Sequence, residues 1–208
     1  NDAPVLSLIG DQVADEDIDY DLVVCAEDVD IETDGQTLEF SAMTGDASLV
    51  VTVPTEYINV NCYSLNFDLQ DDQNGETDIT VCVNDSEGVA DCETFLLTVN
   101  AVNDDPILSS IGIQSPDQTT DEDTDLTISV SASDVDIAEN GQSLTFTLEC
   151  TGDDALVTTS CLSTGDSSAD CSFDVQDDQY GSSSCTVSVD DGNGASDSES
   201  FTLTVNSV

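Results

Sequence analysis

The sequence presents one succession of motifs twice, and this internal repeat restricts the fold to two copies of a single unit. An Asn-Asp-x-Pro segment opens each copy, at positions 1–4 and 103–106. Other motifs recur in the same order: Asp-Glu-Asp at 15–17 and 121–123, Asp-Val-Asp-Ile at 28–31 and 134–137, and Gln-Asp-Asp-Gln at 70–73 and 176–179. The repeat predicts two domains, 1–102 and 103–208, each of ordinary size for a small domain.

Short β-branched runs bounded by Asp, Asn and Gly fill each unit, which is the pattern of a β-rich fold. About seven such runs in roughly 100 residues predict an all-β protein, with two tandem seven-stranded Greek-key sandwiches of immunoglobulin-like type. No segment predicts a helix. The acidic run 30–35 is interpreted as a loop, because an EF-hand would need Glu where Ser41 stands. The clearest predicted strands are 22–26, 49–53, 79–83, 95–99, 126–130 and 144–148.

The chain has 46 acidic residues and no Lys, Arg or His. Such a chain cannot neutralise phosphates, so nucleic acid and anionic membranes are not expected as partners. It also lacks the residues for a Ser–His pair or a Schiff base. Asp71 and Asp72 are expected to lie next to each other on an extended segment, where neighbouring side chains point apart, unlike the facing carboxylates of a glycosidase. We therefore expect no catalytic residues and no enzyme activity.

The same acidity sets a condition for folding. A net charge of −46 causes self-repulsion, and no basic side chain exists to offset it through ion pairs. The counter-charge must come from metal ions or from concentrated salt. Two or three divalent ions would remove only about four to six charges, so most of the acids are expected to form a solvated surface in an ion-rich exterior. No apolar run approaches the roughly 20 residues that a membrane-spanning helix needs.

Eight Cys residues predict disulfides rather than a zinc site, because neither a CxxC pair nor a His accompanies them. Disulfides persist in oxidising compartments, so the protein is expected to be secreted to the cell surface or beyond. Each unit holds four Cys, and four Cys allow three connectivities that the sequence leaves open. The pairs that we expect are Cys25–Cys62, Cys82–Cys92, Cys150–Cys161 and Cys171–Cys185.

The order of the motifs resembles the cadherin-like tandem repeats of bacterial extracellular surface proteins and calcium-dependent adhesins. The resemblance extends over the whole chain, twice. It rests on the Asn-Asp-x-Pro linker, a Glu shortly after it, the Asp-x-Asp at 28–30 and 134–136, and the Asp of a Val-x-Asp-x-x-Gly turn at 83–88 and 189–194. In that family these groups meet at the junction of consecutive domains and bind calcium, which stiffens the rod. Calcium prefers such oxygen ligands on chemical grounds too.

The resemblance implies calcium as the cofactor and gives its ligands at three places. The Gln70-Asp71-Asp72 segment lacks the Arg of the Asp-Arg-Glu motif in animal cadherins, so fewer ions per junction are expected, one or two. The central junction would use Glu16, Asp71 or Asp72, Asn103, Asp104, Asp134, Asp136 and Asp191. Asn1, Asp2, Asp28, Asp30 and Asp85 would form half of a junction with a preceding unit. Glu122, Asp177 and Asp178 would form half of one with a following unit.

The expected function is structural: a calcium-stiffened extracellular rod segment of a surface adhesin, or a subunit of a head-to-tail filament. Its partners would be neighbouring repeats or copies of itself, because residues 205–208 followed by residues 1–4 recreate the internal linker. A segment around 113–120 is a candidate for an additional interface. The alternative is a cell-surface module that binds a carbohydrate or a protein through one sandwich face. An aromatic content of 5% without Trp disfavours sugar stacking.

Overall fold

A computed structural model describes residues 1–111, 117–152 and 156–208, and at 53–55 and 139–140 it describes the backbone alone. Residues 113–116 of the candidate additional interface lie outside this described part. The chain divides into two compact units, Asn1–Val102 and Asn103–Val208, which is the division that the repeat predicts. Within the described residues, no helix has both the length and the apolar character needed to cross a bilayer.

Unit 1 is built from strands that form two four-stranded sheets, ordered β1-β3-β6-β5 and β2-β8-β7-β4. Its hydrophobic residues alternate along the strands, so that one face of each sheet contributes to a common core. Phe67 and Phe95 meet edge to face in this core, with ring centroids 6.5 Å apart. The strands are β1 (Val5–Leu6), β2 (Gln12–Asp15), β3 (Tyr20–Glu27), β4 (Leu38–Thr44), β5 (Val50–Asn59), β6 (Cys62–Leu69), β7 (Gly75–Asp85) and β8 (Ala90–Asn100).

Unit 2 repeats this arrangement with sheets ordered β9-β11-β14-β13 and β10-β16-β15-β12. The equivalent aromatic pair, Phe173 and Phe201, again meets edge to face at 6.1 Å. The strands are β9 (Ile107–Leu108), β10 (Gln118–Asp121), β11 (Leu126–Ser133), β12 (Thr145–Thr151), β13 (Val157–Gly165), β14 (Ser168–Val175), β15 (Gly181–Asp190) and β16 (Ser196–Asn206). Each unit is therefore an all-β sandwich, as the strand pattern predicts.

The first strand of each unit is divided between the two sheets. In unit 1, β1 pairs antiparallel with β3, whereas β2 pairs in parallel with β8 in the other sheet. In unit 2, β9 and β10 behave in the same way towards β11 and β16. Within the part of the chain that the structure describes, this change of sheet gives eight strand segments in each unit where we expected seven strands.

The expectation that no segment is helical was wrong. Helices α1 (Asp30–Asp34) and α2 (Asp136–Asn140) each follow the long strand that precedes them and span five residues. Gly35 and Gly141 end them in the left-handed conformation, with φ of 73° and 65°, which glycine adopts without a steric penalty. A helix this short offers too few residues to display the 3.6-residue periodicity that marks a helix in a sequence.

The disulfides of unit 1 are those expected, Cys25–Cys62 and Cys82–Cys92. The pairing expected in unit 2, Cys150–Cys161 and Cys171–Cys185, was wrong: the bonds are Cys150–Cys185 and Cys161–Cys171. The reason is the sheet topology. Cys150 lies directly opposite Cys185 on β12 and β15, and Cys161 lies opposite Cys171 on β13 and β14. The expected bonds would have joined strands of different sheets.

Candidate functional site

Each unit gathers polar oxygens at the end where its chain enters, and we call this group the N-terminal cluster. It is formed by the linker, the residues that follow the third strand of the unit, the start of the short helix and the end of the seventh strand. In unit 1 the cluster comprises Asn1, Asp2, Asp28, Asp30, Gln36 and Asp85. In unit 2 it comprises Asn103, Asp104, Asp134, Asp136, Gln142 and Asp191.

The linker of unit 2 is held in this cluster by two side chains predicted as ligands. The Asn103 amide nitrogen donates to Asp191 Oδ2 at 2.6 Å, and the Asp104 backbone N–H donates to Asp136 Oδ2 at 2.9 Å. The Asp136 N–H in turn donates to Asp134 Oδ1 at 2.9 Å. The structure therefore brings together the residues that the sequence predicts as the unit 2 part of the central junction, namely Asn103, Asp104, Asp134, Asp136 and Asp191.

Unit 1 reproduces the same bonds with its own residues. Asn1 donates to Asp85 Oδ2 at 3.0 Å, and the Asp2 N–H donates to Asp30 Oδ2 at 2.6 Å. The Asp30 N–H donates to Asp28 Oδ1 at 2.8 Å. The predicted half-site of unit 1 is thus a complete copy of the cluster in unit 2.

Asp85 and Asp191 are buried carboxylates that accept hydrogen bonds from their own turns. Asp191 Oδ1 accepts the backbone N–H groups of residues 193–195. The bond from Asn103, followed by those from the turn, holds the pKa of Asp191 below its usual value. The N–H of Val89, followed by other donors that include Asn1, lowers the pKa of Asp85. These two carboxylates are therefore favoured in the charged form.

The pKa of Asp134 is shifted in the opposite direction, above its usual value. Its burial raises the pKa of its carboxyl group, and the charges of Asp136 and Asp191 raise it further. Its Oδ2 atom is buried and has no hydrogen-bond partner among the described residues, and the same holds for Asp28 Oδ2 in unit 1. A buried carboxylate oxygen without a donor costs free energy unless a cation compensates it.

A second group of acids, the C-terminal cluster, lies at the other end of each unit. Its central member, Glu16, is 2% exposed and accepts the Val102 N–H through Oε1 at 2.8 Å. In unit 2 the Val208 N–H donates to Glu122 Oε1, also at 2.8 Å. The other members, which a hydrogen bond joins in each unit, are Asp17 and Asp72 in unit 1, and Asp123 and Asp178 in unit 2.

Asp17 and Asp72 form a contact pair in the C-terminal cluster. Both adopt positive φ, 67° and 56°, and the Asp72 N–H donates to Asp17 Oδ1 at 2.9 Å. Each offers a carboxylate oxygen within 4.8 Å of one from the other, so the two negative charges repel unless a cation lies near them. Asp123 and Asp178 repeat the conformation and the bond in unit 2. Asp71 and Asp177, which were also predicted as ligands, have exposed side chains.

The two clusters of a unit lie at opposite ends of its sandwich. Strand β7 starts next to the C-terminal cluster at Gly75 and reaches the N-terminal cluster at Asp85. Strand β3 likewise runs from Tyr20, near Asp17, to Glu27, next to Asp28. At about 3.3 Å per residue, the eleven residues of β7 place the clusters about 30 Å apart.

Two pairs of residues in these clusters were missing from the predicted ligands. Asp17 and Asp123 end the recurring Asp-Glu-Asp motif, and Gln36 and Gln142 belong to a Gly-Gln pair that recurs after Asp-Val-Asp-Ile. The recurrence itself was the signal that could have identified them.

The residues of the N-terminal clusters fit a calcium ion. Their side chains provide carboxylate and amide oxygens, which are the donors that calcium prefers. Asp28 and Asp134 each present a buried oxygen that no donor satisfies among the described residues. The sequence contains no basic side chain that could take the place of a metal ion.

Comparison with known proteins supports the sandwich fold. Residues 103–204 match a family model described as bacterial Ig domain. The extracellular domain of protocadherin GammaB4 is similar over 98% of this chain and 33% of its own, with a TM-score of 0.52 at 20% identity. Extracellular cadherin domains 1–5 of protocadherin Gamma B2 are similar over 99% of this chain and 39% of their own, with a TM-score of 0.57 at 16% identity. No curated protein sequence matches the chain.

These likenesses establish a fold and no more. An endo-fucoidan hydrolase from glycoside hydrolase family 107 also matches over 99% of this chain and 29% of its own, with a TM-score of 0.37 at 18% identity. The chain covers half or less of the length of the solved structures that it resembles. Its units have an Ig-like, cadherin-like β-sandwich fold.

Proposed function

We propose that this chain is a pair of extracellular structural repeats that calcium stiffens into a rod segment of a surface adhesin or filament. One observation carries the proposal: the same oxygen-rich N-terminal cluster, with the same buried and unsatisfied Asp oxygen, occurs in both units of a chain that has no basic side chain. Calcium would compensate this charge through its oxygen ligands.

The positions of the clusters suit a rod. Each unit carries acids at both ends of its sandwich, so calcium bound at the N-terminal cluster could also recruit carboxylates of the preceding repeat. In this proposal Glu16 and Asp72 would join Asp104, Asp134 and Asp136 at the central junction. Asp17, which contacts Asp72 within unit 1, would be a further member.

The extracellular setting rests on two independent features. Four disulfides join all eight cysteines, and such bonds persist in oxidising compartments. The bacterial Ig domain match and the likeness to cadherin ectodomains agree with a surface protein.

The C-terminal cluster of unit 2 supports an extension of the proposal to longer assemblies. It repeats the Glu-to-backbone bond of unit 1 and the paired left-handed Asp residues. A following unit, in the same polypeptide or in another copy, would therefore meet acids like those of unit 1. Such a head-to-tail contact does not close on itself and generates a filament.

Small-angle X-ray scattering of the 208-residue chain in calcium and in chelator, at one ionic strength, tests the rod. The expected result is a single extended maximum dimension in calcium and a broader distribution of distances in chelator. Identical curves in the two conditions would contradict calcium stiffening. Electron microscopy under the same conditions tests the filament, because calcium-dependent fibres are expected and fibres that persist in chelator would require another joining contact.

A further inference from the structure

Gln36 and Gln142 occupy equivalent places in the two units, directly after the glycine that ends the short helix. Gln36 is 9% exposed, and its Nε2 donates to Asn1 Oδ1 at 2.5 Å. Gln142 Nε2 donates to Asn103 Oδ1 at 3.0 Å. Each glutamine is therefore part of its N-terminal cluster, with one half of its amide group engaged by the linker.

The other half of each amide has no partner among the described residues. Gln36 Oε1 and Gln142 Oε1 are both buried and accept no hydrogen bond from any described residue. A buried carbonyl oxygen without a donor keeps the full cost of its desolvation. The same atom is left unsatisfied among the described residues of both units, at a Gly-Gln pair that recurs in the repeat, so a shared role explains it better than an accident of packing.

The chemistry of the surroundings selects what could meet these oxygens. No Lys, Arg or His exists in the chain to donate to them. The neighbouring acids are oxygen acceptors, and Asp28 Oδ2 and Asp134 Oδ2 are buried and unsatisfied in the same way. A neutral amide oxygen suits a calcium ion, and it adds a ligand without adding negative charge to an acidic cluster.

We propose that the amide oxygens of Gln36 and Gln142 are further calcium ligands, one in the N-terminal cluster of each unit. This inference rests on the calcium binding proposed above. The amide nitrogen has a different role. Because it donates to the linker Asn, it orients the side chain so that the amide oxygen is left to bind the ion.

Two double variants of the 208-residue chain distinguish the oxygen from the nitrogen. Q36L/Q142L removes both halves of the amide. Q36E/Q142E keeps an oxygen but replaces the donor to Asn1 and Asn103 with a second oxygen. Q12E/Q118E is the matched control, because it adds the same two charges on β2 and β10. Gln12 accepts a bond from Tyr20 and donates to the Gly10 carbonyl, and neither partner belongs to the N-terminal cluster.

Calcium affinity is measured by isothermal titration calorimetry at fixed ionic strength, with circular dichroism to verify the β fold. We expect Q36L/Q142L to weaken binding about tenfold or more, as loss of supporting groups around metal sites does. Q36E/Q142E should bind at least as tightly as the unaltered chain, and Q12E/Q118E should leave the affinity unchanged. If the leucine variant fails to fold, the calcium affinities of Q36E/Q142E and of its control Q12E/Q118E still test the inference.

Equal loss in Q36E/Q142E and Q36L/Q142L would overturn the inference, because the nitrogen would then be the important atom. Unaltered binding in Q36L/Q142L would overturn it as well, while leaving the proposed calcium binding intact. An unaltered chain that shows no saturable calcium binding would instead defeat the proposed function, and the ligand role with it.

Discussion

At the scale of single residues, acids of one type have opposite environments within one cluster. Asp191 accepts the amide of Asn103 and several turn N–H groups, so its pKa is lowered. Asp134 is half-buried beside two other acids, and the desolvation of its carboxyl group is the main cause of its raised pKa. Asp191 already has hydrogen-bond donors for its negative charge, whereas Asp134 Oδ2 has none among the described residues. Asp134 is therefore the better metal ligand of the two.

The first prediction concerns calcium affinity. The double change D134N/D136N removes two charged ligands of the unit 2 cluster, so calcium binding at that cluster should weaken about tenfold or more while both sandwiches stay folded. Calorimetric titration measures the affinity. The control is D166N/D170N, which removes the same two charges from exposed or half-buried positions between β13 and β14 and in β14 itself. An equal loss in the control would mean that general charge, not a site, attracts calcium.

The second prediction concerns Asp134 without metal. Because its pKa is higher in the folded than in the unfolded chain, its charged form opposes folding above that pKa, and stability is gained as pH falls through it. In chelator at neutral pH, D134N should therefore raise the melting temperature of unit 2. In calcium the same change should lower it, because a ligand is lost. A decrease in both conditions would show that the Asp134 charge is not the unfavourable element that we infer.

At the scale of strands and helices, the sequence predicted those features that alternating hydrophobic residues and recurring motifs indicate. The strands at 79–83 and 95–99 lie inside β7 and β8, because Val81, Val83, Leu97 and Val99 alternate towards the core. Recurrence likewise predicted that Asp134 and Asp136 lie in one cluster with the linker, and the structure places them there. The division of the first strand between two sheets was missed, because it depends on which partners β1 and β2 find and not on their own composition.

The cysteines show the same limit. Cys82 and Cys92 flank one hairpin turn, so their bond follows from local sequence. Cys150 and Cys185 are brought together by two strands that are 35 residues apart in the chain. Nothing in the local sequence of unit 2 specifies that neighbour relation, and the expected pairing therefore joined the wrong strands.

The third prediction follows from those chain separations. The Cys150–Cys185 bond spans 35 residues and the Cys161–Cys171 bond spans 10. Chain entropy gives stabilisations of about 4 and about 3 kcal/mol, so C150A/C185A should lower the stability of unit 2 by about 1 kcal/mol more than C161A/C171A does. Urea unfolding measures the difference.

The two variants in this comparison are well matched. Each removes one fully buried cysteine, Cys185 or Cys171, and one half-buried cysteine, Cys150 or Cys161. The loss of packing is therefore similar, and the length of the closed loop is the main difference. An equal or larger cost for the short loop would contradict the entropic account.

At the scale of the whole molecule, the charge of −46 and the absence of basic residues govern the behaviour of both units. Many acids have structural partners, as when Glu93 and Glu199 accept backbone N–H groups of Ile9 and Ile111. The exposed acids repel one another and respond to salt through screening. Specific calcium binding must therefore be separated from screening, which is why ionic strength has to be held constant.

In the proposed function, calcium binds the folded chain at defined clusters and stabilises it. The most direct measurement is thermal unfolding of the 208-residue chain in calcium and in chelator, with sodium chloride holding the ionic strength equal. At free calcium about 100 times the Kd, each site should add about 2.7 kcal/mol, which for a unit of roughly 100 residues raises the Tm by about 10 °C or more. Equal Tm values in calcium and in chelator would contradict the account.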